Sequence, residues 1–136
     1  MPLRKELLVD TNVVLRFLLA DISELYERAR DIFQKAEEGK LRLILSDIVI
    51  SECIWVLEKF YHIDREEIED KLTNLILHES ILTETSKTII KDALSIWSST
   101  FLDWSDSFLV AKAKNQDKKL VTFDKEIIKN FSELCI

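Results

Sequence analysis

Glycine and proline are almost missing from this chain of 136 residues, which has one of each. Long irregular loops are therefore not expected, since such loops usually depend on these two residues. No apolar run reaches the roughly 18 residues that a membrane-spanning helix requires. The two cysteines, Cys53 and Cys135, match no metal-binding spacing. We expect them to be small apolar residues rather than a disulfide or zinc ligands.

The composition predicts one folded domain over residues 1–136, since 47% of the residues are hydrophobic and 32% are charged. A charge-flanked strand follows the N-terminus at once, without the apolar region of a signal peptide. We therefore expect a cytoplasmic protein with no membrane partner. The net charge of −6 argues against a nucleic-acid partner, because phosphate binders usually carry a basic field. This argument weakens if several acids share a metal site, because bound divalent ions reverse the local sign of the charge. The lysines crowd the last quarter of the chain, where they form either a solvated face or a rim that contacts phosphates.

Predicted strands alternate with predicted helices along the chain. Strands are expected at 6–10, 41–46, 80–83 and 119–123, with a last edge strand at the tail ELCI. The first of them should be short and buried. Helices are expected at 12–19, 22–38, 47–61, 65–77, 86–97 and 104–116, and from 125 onward. Gly39 should end the second helix, and Asp64 and Glu67 form a capping-box pattern for the helix at 65–77. This alternation favours a parallel sheet with helices on both faces. The predicted fold is a single-domain α/β/α sandwich of three layers with a central parallel sheet.

An aspartate follows three of these strands, at positions 10, 47 and 124. In parallel sheets, ligands bind beyond the carboxyl ends of the strands, so the pattern concentrates negative charge where a site is expected. Helix capping is the competing explanation for Asp10 and Asp124. It is the better explanation for Asp47. Asp106 can be explained in the same way, as an acid in the first turn of a helix capped by Asp103.

Capping does not explain Glu52. Its helical neighbours are all apolar, at positions 48, 49, 55 and 56, so the sequence predicts a buried carboxylate. Such a group has to be protonated, paired or bound to a cation. Few basic partners are evident, but other acids occur in similar settings. The pattern therefore predicts a metal site of carboxylates, for which oxygen ligands favour Mg²⁺ or Mn²⁺ over zinc.

Four segments in this order, VDTNVVLRFLL, SDIVISECIWVL, DWSDSFLVAKAK and LVTFD, resemble the PIN domain, in particular the VapC-type toxin ribonucleases. The resemblance implies a PIN-like α/β/α sandwich that is usually a homodimer. It implies a Mg²⁺- or Mn²⁺-dependent endoribonuclease that hydrolyses RNA, and an antitoxin protein as partner. Asp10, Glu52 and Asp106 match the principal acids, and Asp124 matches a more variable fourth. The supporting positions are Asp103, Thr11, Asn12 and Thr122.

The same residues are also relevant to other functions. One is a PIN-like RNA-processing nuclease outside a toxin–antitoxin system, and another is a non-catalytic interaction domain that binds a cation. A phosphoacceptor receiver domain needs an acid pair before Asp10, which this chain lacks. A haloacid-dehalogenase-like phosphatase needs an acid two residues after Asp10, where this chain has Asn12. Arg16 can contact a substrate backbone or pair with an internal acid. Trp97 and Trp104 can belong to a dimer surface or to the core.

Overall fold

The computed structural model describes residues 5–21 and 23–136. By their internal contacts, these residues divide into two compact units, one ending at Thr85 and one beginning at Ser86. Within the described ranges, no helix combines the length and the hydropathy that crossing a membrane requires.

The first unit contains a parallel sheet of three strands in the order β1-β2-β3. These are β1 (Lys5–Leu8), β2 (Leu41–Leu45) and β3 (Ile81–Thr83). In the middle strand, Leu43 and Leu45 are completely buried. The prediction of a buried first strand is wrong, because all four residues of β1 are exposed. In the described sheet β1 pairs with β2 alone, so one of its edges has no strand neighbour.

Four α-helices of the first unit connect or follow these strands: α1 (Thr11–Leu19), α2 (Glu24–Glu37), α3 (Asp47–Trp55) and α4 (Arg65–Ile76). The predicted start of α2 at Ile22 lies outside the described residues. Gly39 ends α2 as expected, since its φ of 80° suits glycine and its N–H donates to the Ala36 carbonyl. The capping box predicted at the start of α4 is wrong. Asp64 is the N-cap but makes no side-chain capping bond.

The helix predicted to run to Tyr61 changes its type after Trp55. Residues Val56–Phe60 form a π-helix, and the Tyr61 N–H donates to the Val56 carbonyl over 3.1 Å. Such i→i+5 turns are rare and frequently occur at functional sites. His62 follows with a φ of 54°, a left-handed conformation that is uncommon for a residue with a Cβ atom.

Apolar side chains of the helices pack against the sheet and one another in the first unit. The rings of Phe17 on α1 and Phe33 on α2 stack with centroids 4.1 Å apart. Leu57, Ile68 and Leu72 are at most 1% exposed. Each such side chain contributes roughly 1.5–3 kcal/mol through burial. Buried residues of α1 and α3 belong to this core, and Asp10 caps α1 while Glu52 lies within α3.

The second unit is helical, with α5 (Lys87–Ser99), α6 (Trp104–Asn115), α7 (Lys125–Asn130) and a 3₁₀ turn at Ser132–Leu134. Helices α5 and α6 pack together, and the rings of Trp97 and Trp104 meet edge to face at 6.4 Å. These two side chains are 1% and 8% exposed. They belong to the core of this unit, so the alternative of a dimer surface does not hold for them.

The strand predicted at 119–123 is not formed in the described structure. One isolated parallel bridge joins Leu120 to Cys135. This bridge is present in place of both the strand at 119–123 and the edge strand predicted at the tail. Beyond Leu120 the backbone turns away from pairing, because the Thr122 hydroxyl accepts the Asp124 N–H over 3.0 Å. Val121 and Phe123 are 77% and 96% exposed.

Candidate functional site

Asp10 begins the candidate site at the end of the first strand. It is the N-cap of α1, and its carboxylate accepts the backbone N–H of Thr11 over 2.8 Å. The ladder continues one residue past β1, since the Val9 N–H donates to the Ile44 carbonyl over 3.1 Å. The end of the sheet therefore holds the Asp10 backbone. The cap uses Oδ1 of this exposed carboxylate, which keeps further acceptor capacity.

Thr11 joins Asp10 to Glu52. Its hydroxyl donates to Glu52 Oε2 over 2.7 Å, across 41 positions of sequence. Thr11 is 7% exposed, so its side chain is held in place by its surroundings. The structure thus brings Asp10, Thr11 and Glu52 together, as the sequence predicted.

The predicted burial of Glu52 is wrong, because this side chain is exposed. Two of its apolar helical neighbours, Ile48 and Trp55, are themselves 73% and 63% exposed. The apolar face of α3 that packs inward is the opposite one, with Ile50, Cys53 and Ile54. Apolar neighbours on the same helix therefore did not mean a covered face.

The negative potential at this site reaches the adjacent thiol. Burial, together with the charges of Glu52 and Asp10, raises the pKa of Cys53 to about 12. Cys53 is therefore a neutral thiol near neutral pH. Cys53 is also completely buried, so the donors exposed at this site are hard oxygens.

A cavity of about 350 Å³ opens over these residues. Its polar lining comes from Asp10, Thr11, Asn12 and Glu52. The remaining lining is apolar and is given by Leu15, Trp55, Val56, Phe60 and Tyr61. No lysine or arginine of the described chain lines this cavity. Its volume lies at the lower end of the range of ligand pockets, roughly 300–1,000 Å³.

Arg16 pairs with an acid, but this acid lies at the surface and is not the internal one that was expected. Its guanidinium lies 2.7 Å from the Asp21 carboxylate, and both side chains are more than one third exposed. Ser23 donates to the other Asp21 oxygen over 3.0 Å. Asp21 thus holds Arg16 near the loop that follows α1.

The second unit carries the other predicted acids. Asp103 is the N-cap of α6 and accepts the Asp106 N–H over 3.2 Å. Asp124 is the N-cap of α7 and accepts the Ile127 N–H over 2.9 Å. The capping roles foreseen for both residues are confirmed. Thr122 supports Asp124 through the bond to its N–H described above.

In the second unit, the carboxyl of Asp106 has a shifted pKa. Burial raises the pKa of its carboxyl, and the charges of Asp103 and Asp124 raise it further. The three carboxylates are therefore near enough to repel one another. In neither unit, however, do three acidic, histidine or cysteine side chains of the described residues converge in an arrangement ready to hold a metal ion.

Several lysines of the last quarter have defined contacts. The Lys112 ammonium lies 4.9 Å from the centroid of the Phe108 ring. Lys119 donates to the Glu133 carbonyl over 2.6 Å, and Lys114 lies 3.9 Å from Asp92. These contacts hold three of the lysines against their own unit and agree with the interpretation as a solvated face.

Comparison with known proteins decides the family. The model of the PIN domain matches residues 7–134. The chain belongs to the PIN domain family. A VapC ribonuclease of Aquifex aeolicus (strain VF5) is 30% identical over 126 residues, which cover 90% of each protein. The predicted fold class, an α/β sandwich with a parallel sheet, is thereby confirmed, and the receiver-domain and phosphatase alternatives are set aside.

Sequence reasoning missed the aromatic side chains of the cavity. Trp55, Phe60 and Tyr61 lie within seven positions of the sequence, and all three line the cavity beside Glu52. The close spacing of three aromatic residues after an acid was a visible signal. Their common orientation depends on the π-helix, which no sequence pattern had predicted.

Proposed function

We propose that this chain is a metal-dependent endoribonuclease and the toxin of a toxin–antitoxin pair. The observation that carries the proposal is the convergence of Asp10 and Glu52 on Thr11, with a 2.7 Å bond between Thr11 and Glu52, in one open cavity of a PIN domain. The 30% identity to a VapC ribonuclease supports RNA as substrate and a protein antitoxin as partner. A homodimer and a cytoplasmic location remain parts of the proposal.

The residues at the cavity fit a hard divalent cation. The donors are carboxylate, hydroxyl and amide oxygens, and the adjacent Cys53 is completely buried and does not line the cavity. Such a donor set suits Mg²⁺ or Mn²⁺ and not zinc. When bound, the cation would neutralise phosphate charge and activate a water molecule. Asp106 and Asp124 remain in the proposed ligand set on the strength of their sequence motifs alone.

The side chains of the cavity have separable tasks in this proposal. Asp10 and Glu52 hold the cation, and the Thr11 hydroxyl orients Glu52 by its hydrogen bond. Asn12 is exposed in the same cavity and can donate an amide N–H to a phosphate oxygen. Cation and phosphate bind together at such sites, since Mg²⁺ is usually held by one or two carboxylates plus substrate phosphates.

Cleavage of RNA by the purified protein with Mn²⁺ or Mg²⁺, and its loss with EDTA, tests the proposal. Asp10→Asn removes one charge and keeps a good helix cap, and Glu52→Gln removes the other. Both variants should fold and lose cleavage. Asp64→Asn and Glu66→Gln are the matched controls, since they make the same changes at exposed positions of α4 and its cap.

Three results would contradict parts of this proposal. Full cleavage by Asp10→Asn or Glu52→Gln would defeat the assignment of the acids. Saturable cation binding without cleavage of any RNA would favour the non-catalytic interaction domain. A genomic neighbourhood without a small reading frame for a DNA-binding antitoxin would favour an RNA-processing nuclease over a toxin.

We also propose that residues 1–136 form one domain. One family model spans residues 7–134 and crosses the boundary after Thr85. Unfolding in a calorimeter should then be one transition whose calorimetric and van't Hoff enthalpies agree. Two separate transitions would overturn this part.

A further inference from the structure

Three aromatic side chains stand at the mouth of the cavity that holds Asp10 and Glu52. We call Trp55, Phe60 and Tyr61 the aromatic rim. They are 63%, 69% and 41% exposed, in the same order. Large exposed aromatic surface is unfavourable in a free protein, and a cluster of it marks a surface that binds something.

The π-helix is what gathers the rim on one side. In an i→i+5 turn, residues five apart lie on the same side of the helix. Trp55 and Phe60 form one such pair, and Val56 and Tyr61 form the next, with the Tyr61 N–H bonded to the Val56 carbonyl over 3.1 Å. All four line the cavity. The Phe60 and Tyr61 rings meet edge to face at 5.0 Å.

The same segment is anchored on its other side. Leu57, within the π-helix, is completely buried, and the Ile63 N–H donates to the Leu57 carbonyl over 3.0 Å. The rim is therefore presented by a fixed backbone. The rings and the two acids line one cavity, and the π-helix includes Phe60 of the rim.

Electrostatics restricts what can bind at the rim. No lysine or arginine of the described residues lines the cavity, which carries two carboxylates. A nucleic acid therefore gains little here from contacts between phosphates and basic side chains, the usual source of its affinity. Stacking of bases on aromatic rings is the other general source of affinity, and it does not depend on charge.

An apolar partner surface fits less well. A hydrophobic helix or a second copy of this face would remove Asp10 and Glu52 from water without supplying a positive charge, which is costly. A nucleotide brings a flat apolar base for the rings, together with a phosphate that binds beside a cation on the acids. The combination of rings and carboxylates in one cavity favours the nucleotide.

We propose that the aromatic rim is a stacking platform that holds an unpaired base of the RNA next to the phosphate bound at Asp10 and Glu52. The inference rests on the proposed ribonuclease function and adds positioning residues to it. Stacking makes the site select nucleotides that can leave a duplex. It also explains how an acidic protein holds RNA at this cavity.

Fluorescence gives a direct test, because Trp97 and Trp104 are 1% and 8% exposed and Trp55 is the tryptophan of the cavity. The protein is titrated with a short oligouridylate in EDTA, and in parallel with an abasic oligomer of equal length. The oligouridylate should quench the emission and the abasic chain should not. Trp55→Leu should lose the quenching. Phe101→Leu changes an exposed ring in the connection between α5 and α6 and should keep the quenching.

Cleavage kinetics give the second readout. Trp55→Leu and Phe60→Leu should each raise KM for a single-stranded RNA by about 5- to 150-fold, the range that corresponds to the usual loss of one stacked base. Trp55→Phe should restore most of the affinity, since it restores a ring. The fold of each variant is checked by circular dichroism, so that a misfolded variant is recognised and replaced by Tyr61→Leu.

The outcomes separate the inference from the proposed function. Unchanged quenching and KM in the Leu variants, with cleavage intact in the wild type, would overturn the platform alone. Conversion of a dimer to a monomer by Trp55→Leu, with unchanged cleavage, would make the rim an interface between copies and overturn the platform. If no RNA is cleaved but oligouridylate still quenches Trp55, the ribonuclease proposal fails and the platform stands.

Discussion

The hydrogen bond between Thr11 and Glu52 is the contact that the candidate site depends on, and its contribution can be measured. The change is Thr11→Val, which removes the hydroxyl and nearly keeps the shape of the side chain. A hydrogen bond to a charged group contributes roughly 1.5–3 kcal/mol when water is excluded. Glu52 is exposed, so water can replace the lost donor. We therefore expect a coupling of about 1 kcal/mol.

A double-mutant cycle isolates this coupling from other effects. The four proteins are the wild type, Thr11→Val, Glu52→Ala and the double variant, each unfolded by urea in EDTA so that no cation contributes. The sum of the losses in unfolding free energy of the two single variants should exceed the loss of the double variant by about 1 kcal/mol. In thermal unfolding, Thr11→Val alone should lower Tm by roughly 3–5 °C.

Thr11→Ser is the matched control for this cycle. It keeps the hydroxyl and loses one buried methyl group, so its coupling to Glu52 should persist. A coupling of Thr11→Val below about 0.3 kcal/mol, the usual error of additivity, would refute the reasoning. The 2.7 Å bond would then contribute nothing to joining α1 and α3.

Two further predictions concern the second unit. Asp103→Asn keeps a good N-cap but removes a charge that raises the Asp106 pKa, so that pKa should fall in a carbon-13 NMR titration. A raised pKa means that the folded protein binds the Asp106 proton more tightly than the unfolded chain does. The free energy of unfolding therefore falls as the pH rises from 3.8, the ordinary pKa of an aspartate, through the raised pKa of Asp106. In urea titrations, Asp103→Asn should make this fall smaller. Trp97→Ala should cost about 3–5 kcal/mol by urea unfolding, since the ring is 1% exposed. Phe101→Leu, at a ring 96% exposed, should stay within about 0.5 kcal/mol, and equal costs at the two positions would contradict the described core.

Local sequence rules predicted most helices and the parallel sheet. Helix starts were clear because serine or aspartate stands at the N-cap, as Ser46, Ser86 and Asp103 do with their side-chain bonds. The strands at 41–46 and 80–83 were clear because apolar residues that are buried in the sheet form short continuous runs. Family motifs then pointed to the acids that the first unit brings together.

What failed depended on tertiary contacts that a local pattern does not contain. The sequence around Glu52 is apolar on every side, and only packing decides that Ile50 and Cys53 face inward while Ile48 and Trp55 face outward. The segment 119–123 contains residues that favour strands, but a strand requires a partner along its length. Leu120 has one bridge, and Thr122 diverts the chain into a turn.

The exposure of Glu52 changes why the acids are tolerated in this protein. A buried carboxylate would have needed a cation to make folding possible. Asp10 and Glu52 are instead in contact with water, which screens the repulsion between their charges more strongly than a buried site would. The cation is then not required for the fold, and the metal-free protein should be stable. Stability therefore does not explain why the two acids meet at Thr11 beside the aromatic rim. The proposed binding of a cation and RNA explains this arrangement better.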